Sequence, residues 1–145
     1  MIFEEQPMDF EPAFEVVSCM VESAGAYLFL HRAPDRLYGG YWGCPTGKVE
    51  GDEEREAELR RELREETGWA WVDEKLAFYE TLYVRHPDLD FVYHLYSARV
   101  SGKPRPRLSR SEHTNFAWLD LETARLHALV PDMHAVLDRF EQRDR

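Results

Sequence analysis

A glycine-bounded helix between Gly47 and Gly68 constrains this chain more than any other stretch. Acids favour a helix N-terminus, which sets the start near Asp52 or Glu53, and Gly68 supplies the C′ stop. Leu59 and Leu63 form an i, i+4 apolar pair, so this helix is expected to anchor on a neighbouring layer through one edge only. At about 100° per residue, Glu62 and Glu66 lie one above the other and Glu65 lies beside them. Like charges at that spacing cost about 0.2–0.5 kcal/mol per pair. A helix shaped only for stability would not cluster them. Carboxylate oxygens converging from one face are what a hard divalent cation such as Mg²⁺ requires. Glu62 and Glu66 are therefore expected as direct ligands and Glu65 as the third, all pointing into a cleft.

The flanking pattern predicts a sheet around this helix. Residues 1–13 are acidic, carry two prolines and read as a lead-in. Phe14 to Met20 and Ala26 to His31 read as paired strands turned around Ser23-Ala24-Gly25. Residues 34–47 hold Gly39, Gly40, Gly43, Pro45 and Gly47 and read mostly as loop. Two longer strands are expected at about 76–86 and 91–100, joined by a turn at residues 86–90, with tyrosines and valines that suit a pleated, half-buried surface. Residues 101–111 form a basic, proline-containing loop, and Phe116 to Leu119 a short strand. A short helix follows from Leu121. The last helix places Met133, Val136, Leu137 and Phe140 at i, i+3, i+4 and i+7. Strands interleaved with a central and a terminal helix make an α/β sandwich around a mixed sheet, and the 145 residues are expected to form one domain.

Composition narrows the function classes. With 43% hydrophobic and 13% aromatic residues the chain has ample material for a core. The net charge of −10 argues against binding nucleic acid through its phosphates, which takes a basic footprint. It leaves a nucleotide substrate open, because a bound metal locally reverses the field. Cys19 and Cys44 have no metal spacing and make no disulfide framework, so two packed thiols are expected. The N-terminus has no basic region followed by an apolar core, and no run approaches the length of a membrane span. A cytoplasmic protein without membrane attachment is expected.

The motif resembles a known family. Gly47, five residues, Glu53, seven residues, Arg61-Glu62-Leu63, one residue, Glu65-Glu66, one residue, and Gly68 with a bulky apolar neighbour is the signature of the Nudix hydrolases. Trp69 stands where the family usually has an aliphatic residue, a change that touches packing rather than ligands. The resemblance implies the α/β/α sandwich of that family and a Mg²⁺ or Mn²⁺ cofactor. It implies that the main-chain carbonyl of Thr46 or Gly47 also reaches the metal, with Arg61 and Glu53 orienting the ligands. It further implies that Arg32, closing a strand that faces the glycine loop, contacts substrate phosphate. Glu112, at its spacing ahead of Trp118, corresponds in triphosphate-cleaving members to a glutamate that contacts metal or takes the proton from water. His113 is the competing base, since an ordinary imidazole titrates near 6.5.

The expected activity is pyrophosphohydrolysis of a nucleoside diphosphate linked to a further group. A nucleoside triphosphate, ordinary or oxidised, is the first choice, cleaved to monophosphate and pyrophosphate. Tyr41 and Trp42, with Tyr38, Tyr83 and Tyr93, are candidates to stack its base. The alternatives are an ADP-ribose or nucleotide-sugar hydrolase and a non-catalytic sensor of nucleotides, although sensors usually lose motif glutamates and this chain keeps them. The resemblance also allows a homodimer.

Overall fold

The computed structural model describes residues 1–51, 54–69 and 76–143. Among the described residues, eight strands and three helices follow in the order β1 (Ile2–Phe3), β2 (Pro12–Ser23), β3 (Ala26–Arg32), β4 (Trp42–Gly43), β5 (Thr46–Lys48), α1 (Arg55–Thr67), β6 (Ala77–His86), β7 (Leu89–Arg99), β8 (His113–Leu119), α2 (Leu121–Ala124) and α3 (Met133–Arg143).

The sheet runs β1-β6-β7-β2-β3-β4, with β5 also paired to β2 and β8 to β3. It is mixed, because β2 and β7 pair in parallel while the other pairings are antiparallel. Ala24 (φ 49°) and Gly25 (φ 83°) make the tight β2–β3 turn, where two positive φ values match the twist of a hairpin. Beyond that turn the two strands part. They pair only at Glu22–Tyr27 and Ser23–Ala26. Further along, β5 takes β3's place, with Val17 opposite Gly47 and Ser18 opposite Thr46.

Side-chain alternation divides the core into two layers. Val17, Cys19 and Val21 of β2 and Leu28 and Leu30 of β3 face α1, where they meet Leu59 and Leu63. Met20, Tyr27 and Phe29 face the other way, onto Val136, Leu137 and Phe140 of α3. Helices on both faces of a mixed sheet give the expected α/β/α sandwich. Trp69 is buried in the α1 layer, stacked at 6.2 Å on Trp118, so the bulky ring is absorbed by packing behind the helix.

Three local expectations are corrected. The first 13 residues are more than a lead-in: Ile2 and Phe3 add an edge strand opposite Val84 and Tyr83, and Phe10 is buried with its ring 5.5 Å from Tyr83. The glycine-rich stretch carries two short strands, β4 and β5. The strand expected from Phe116 begins at His113, because ladder pairing with β3 holds the polar residues His113 to Asn115 in extended form.

Candidate active site

Helix α1 ends as its sequence dictates. Gly68 adopts the left-handed conformation (φ 78°) and donates its N–H to the Arg64 carbonyl at 2.8 Å. Arg107 of the basic loop donates its N–H to the Thr67 carbonyl at 2.7 Å, satisfying one of the open carbonyls of the last turn. With its C-terminus tied and its leucines buried, α1 presents a fixed row of glutamates to the main chain at Gly47.

That row is Glu58, Glu62 and Glu66. Residues four apart are rotated by only about 40°, so i, i+4 and i+8 share a stripe. Glu65 sits about 60° off Glu62 on the outer side. Its carboxylate is 52% exposed and lies 3.1 Å from Arg61 Nη1. Glu65, expected as the third ligand, thus stands on the outer side, and the inward row is completed by Glu58, which is wholly buried behind the cavity lining. Glu58 was legible only as one more i−4 step from Glu62. Arg61 spans the row, with Nη2 2.5 Å from Glu58 Oε2 and Nη1 3.8 Å from Glu62 Oε1. One guanidinium therefore orients three carboxylates. Glu53 lies outside the described residues.

Gly47 lets main chain and carboxylates meet. A Cβ there would overlap Glu62 Cγ and stand 3.2 Å from Glu58 Oε1. Crowding shows in the charges. Burial, then a hydrogen bond to Glu58 and the charges of Glu58 and Glu65, push Glu62 up to about 7, against a smaller opposing pull from Arg61. Glu66 is 4% exposed. Burial and then the charges of Glu62 and Glu112 raise it well above the carboxylate range, while the Thr46 amide and Arg32 pull the other way. Oε2 of Glu66 is buried without a hydrogen-bond partner. Carboxylates held this close, one with an open oxygen, fit a divalent cation.

Strand β8 faces the helix across the cleft. One ligand atom each from Glu66, Glu112 and His113 lies within 4.8 Å of the others. Arg32, at the end of β3, is half-buried, and its Nε donates to the Leu37 carbonyl at 2.6 Å. Burial and Arg36 lower its affinity for its proton, and Glu66 and Glu112 raise it, which places Arg32 beside both acids. Burial and then Arg32 and Arg36 hold His113 down at about 4, so its ring is neutral near pH 7.

Glu62, Glu66, Glu112, Arg32, Thr46 and Gly47 all line one cavity of about 710 Å³, within the usual range for small-molecule sites. Its other walls include Phe14, Phe91, Tyr93 and Tyr38. Phe14 precedes Val17, the register partner of Gly47, by three residues, or about 10 Å along β2. Phe14 stacks on Phe91 at 5.2 Å. His86 Nε2 lies 2.7 Å from Asp132 Oδ2 in the same region. Tyr38 and Tyr93 are two of the aromatics singled out in the sequence, whereas Phe14, Phe91 and Asp132 were not, because β2, β7 and the start of α3 meet only through the fold.

Tyr41 and Trp42, expected against substrate, are placed elsewhere. Trp42 stacks on His31 at 4.5 Å and sits edge-on to His127 at 5.7 Å, while Tyr41 is 45% exposed. Neither lines the cavity. Residue 43 of β4 does, and alternation turns residue 42 to the opposite side. Tyr83 packs on Phe10 outside the cavity. Both cysteines are buried free thiols, as expected, and Cys44 Sγ shares a hydrogen bond with Ser18 Oγ at 2.8 Å in the cavity floor.

A carboxylate-lined helix behind a glycine strand, in a mixed-sheet α/β/α sandwich, is an arrangement suited to phosphoanhydride hydrolysis. Residues 11–140 match the family model of the NUDIX domain. Over 126 residues, 87% of this chain and 90% of the relative, the chain is 30% identical to the CTP pyrophosphohydrolase of Escherichia coli (strain K12). A 54-residue stretch, 37% of this chain and 38% of the relative, is 43% identical to the nucleoside triphosphatase NudI of Escherichia coli O139:H28. Among solved structures, the MutT protein from Methanosarcina mazei Go1 superposes with a TM-score of 0.79 at 22% identity, covering 96% of this chain and 99% of that one. The NUDIX domain of Shewanella oneidensis NrtR, complexed with ADP ribose, gives 0.77 at 19% identity, covering 97% and 94%. The chain belongs to the Nudix hydrolases. Among the described residues, no helix is long and apolar enough to cross a membrane.

Proposed function

We propose that this Nudix hydrolase cleaves a nucleoside triphosphate, ordinary or oxidised, to the monophosphate and pyrophosphate. The observation that carries this reading is one cavity of about 710 Å³ with an acidic end at Glu62, Glu66 and Glu112 and an aromatic end at Phe14 and Phe91. A nucleotide needs both ends at once. The likeness to a CTP pyrophosphohydrolase along most of the chain supports a triphosphate.

The chain's own groups divide the work. Glu62 and Glu66, with a main-chain carbonyl at Thr46 or Gly47, would hold the cation. Mg²⁺ or Mn²⁺ there would neutralise the phosphate oxygens and favour ionisation of the attacking water. Arg32 binds a phosphate oxygen beside Glu66 and Glu112 and fixes the chain of phosphates in line. Glu112 takes the proton as water adds to phosphorus and the phosphoanhydride P–O bond breaks, releasing pyrophosphate. Arg61 keeps the glutamates in position. The Phe14–Phe91 pair offers an apolar wall for the base, and His86 and Asp132 offer polar atoms to its edge.

A panel of the four nucleoside triphosphates, their oxidised forms, ADP-ribose and a nucleotide sugar, each with Mg²⁺, tests the reading. Pyrophosphate and monophosphate from at least one triphosphate, with kcat/KM above that for the sugar-linked substrates, is the expected result. Preferential cleavage of ADP-ribose would replace it with the diphosphate-sugar alternative. Binding of nucleotide without turnover would leave the chain a sensor.

A further inference from the structure

His113 opens β8 directly after Glu112, and its ring is 5% exposed. Its Nδ1 is buried and meets no hydrogen-bond partner. A buried polar atom left in that state costs about 1–3 kcal/mol, and native proteins keep few of them. Oε2 of Glu66, on a different element, is in the same condition. Both residues line the cavity, and with Glu112 they bring three ligand atoms within 4.8 Å of one another. Ligands on opposite sides of an ion at about 2.1 Å stand about 4.2 Å apart, so side-chain shifts below about 1 Å would close the set. Two residues from α1 and β8, each with a buried unpartnered polar atom, thus bring a ligand atom to the point where Glu112 also offers a carboxylate oxygen.

We propose that Glu66, Glu112 and His113 form a mixed carboxylate–imidazole seat for a divalent transition metal, with a ring nitrogen of His113 as a direct ligand. The inference rests on the metal-dependent reading of the site given above and adds a donor of a different kind; Glu112 contributes one carboxylate oxygen to the seat and keeps the other for the proton of the attacking water. Mg²⁺ takes oxygen ligands and gains little from a nitrogen, whereas Mn²⁺, Co²⁺ and Zn²⁺ accept imidazole readily. His113 thereby biases the cleft toward transition metals.

Pulsed electron paramagnetic resonance of the full chain loaded with Mn²⁺ reads this directly. Wild type should show the ¹⁴N coupling of a coordinated imidazole, and His113→Gln should lose it. Calorimetric titration should show Mn²⁺ affinity falling by at least about tenfold in His113→Gln while Mg²⁺ affinity changes by less than about twofold. Absence of nitrogen coupling in wild type overturns the proposal, and that measurement requires no variant. Coupling that persists in His113→Gln overturns it too, since another histidine then supplies the nitrogen. Triphosphate hydrolysis with no nitrogen coupling would leave the proposed function standing and remove this seat. Nitrogen coupling lost in His113→Gln, without turnover of any nucleotide, would do the reverse.

Discussion

A Cβ on Gly47 would overlap Glu62 Cγ and stand 2.8 Å from the Glu62 carboxyl carbon. The strand β5 and the helix α1 are therefore closer than any side chain permits at that residue, and the carboxylate is fixed by the contact. Gly47→Ala forces Glu62 into another rotamer while the leucine anchor of α1 stays intact. We expect kcat to fall at least ~100-fold, about 2.7 kcal/mol of transition-state stabilisation. Thermal melts should show a loss of no more than a few degrees, which separates displacement of the site from collapse of the fold.

Metal-free protein should lose stability as pH rises through the titration of Glu62. Its folded pKa of about 7 exceeds the reference 4.5. Between those values the folded state holds more protons, so the contribution is full below about pH 4.5 and lost above 7. His113, lowered to about 4 from 6.5, acts in the opposite sense and favours the folded state as pH rises through that window. Glu62→Gln removes the first effect, eases the repulsion that also raises Glu66, and leaves His113 in place. In EDTA at pH 7.5 the variant should be more stable than wild type by ~1–2 kcal/mol, with the gap closing near pH 4.5. Urea denaturation at the two pH values measures it.

Added metal should reverse that penalty. Binding to the folded state at 100 times Kd contributes about 2.7 kcal/mol by mass action, or roughly 5–10 °C for a chain of this size. Glu66→Gln removes a charge and keeps the shape. It should abolish most of the Mg²⁺-induced shift and lower kcat at least ~100-fold. Scanning calorimetry with and without Mg²⁺ reads the first effect and product release the second.

Leu63 is fully buried between α1 and the strands β2 and β3. Leu63→Ala should cost about 3–5 kcal/mol in urea denaturation, the range for an unrelaxed core cavity. Leu126, which is exposed, gives the contrast. Leu126→Ala should change stability by less than about 0.5 kcal/mol.

The helix between its glycines, the paired strands turned around Ser23-Ala24-Gly25 and the Glu62–Glu66 step were legible because they are local patterns. The i, i+4 relation of Glu62 to Glu66 pointed to the cleft. The same rule extended one step back reaches Glu58, and proximity in sequence drew attention to Glu65 instead. Tyr41 and Trp42 carried the composition of a base-binding loop, yet pleating turns Trp42 toward His31 and away from the cavity. Phe14 and Phe91 could not be paired from sequence, since they are brought opposite each other by a parallel register between distant strands. Edge pairing of Ile2 and Phe3 was hidden for the same reason: two residues have no period.

The divergence of β2 from β3 means that the cleft is a fork in the hydrogen-bond ladder rather than a hollow between loops. Ser18 and Val17 on one prong are tied to β5 and to β7, and Leu30 on the other is tied to β4 and β8. Each wall is thus reinforced from outside by further ladder pairs, which a ligand wedged between the prongs would load rather than break. Shape at the reacting end should then survive extensive change in the segments that close the aromatic end, such as those carrying His86 and Asp132. New substrate preferences are accessible there without rebuilding the hydrolytic machinery.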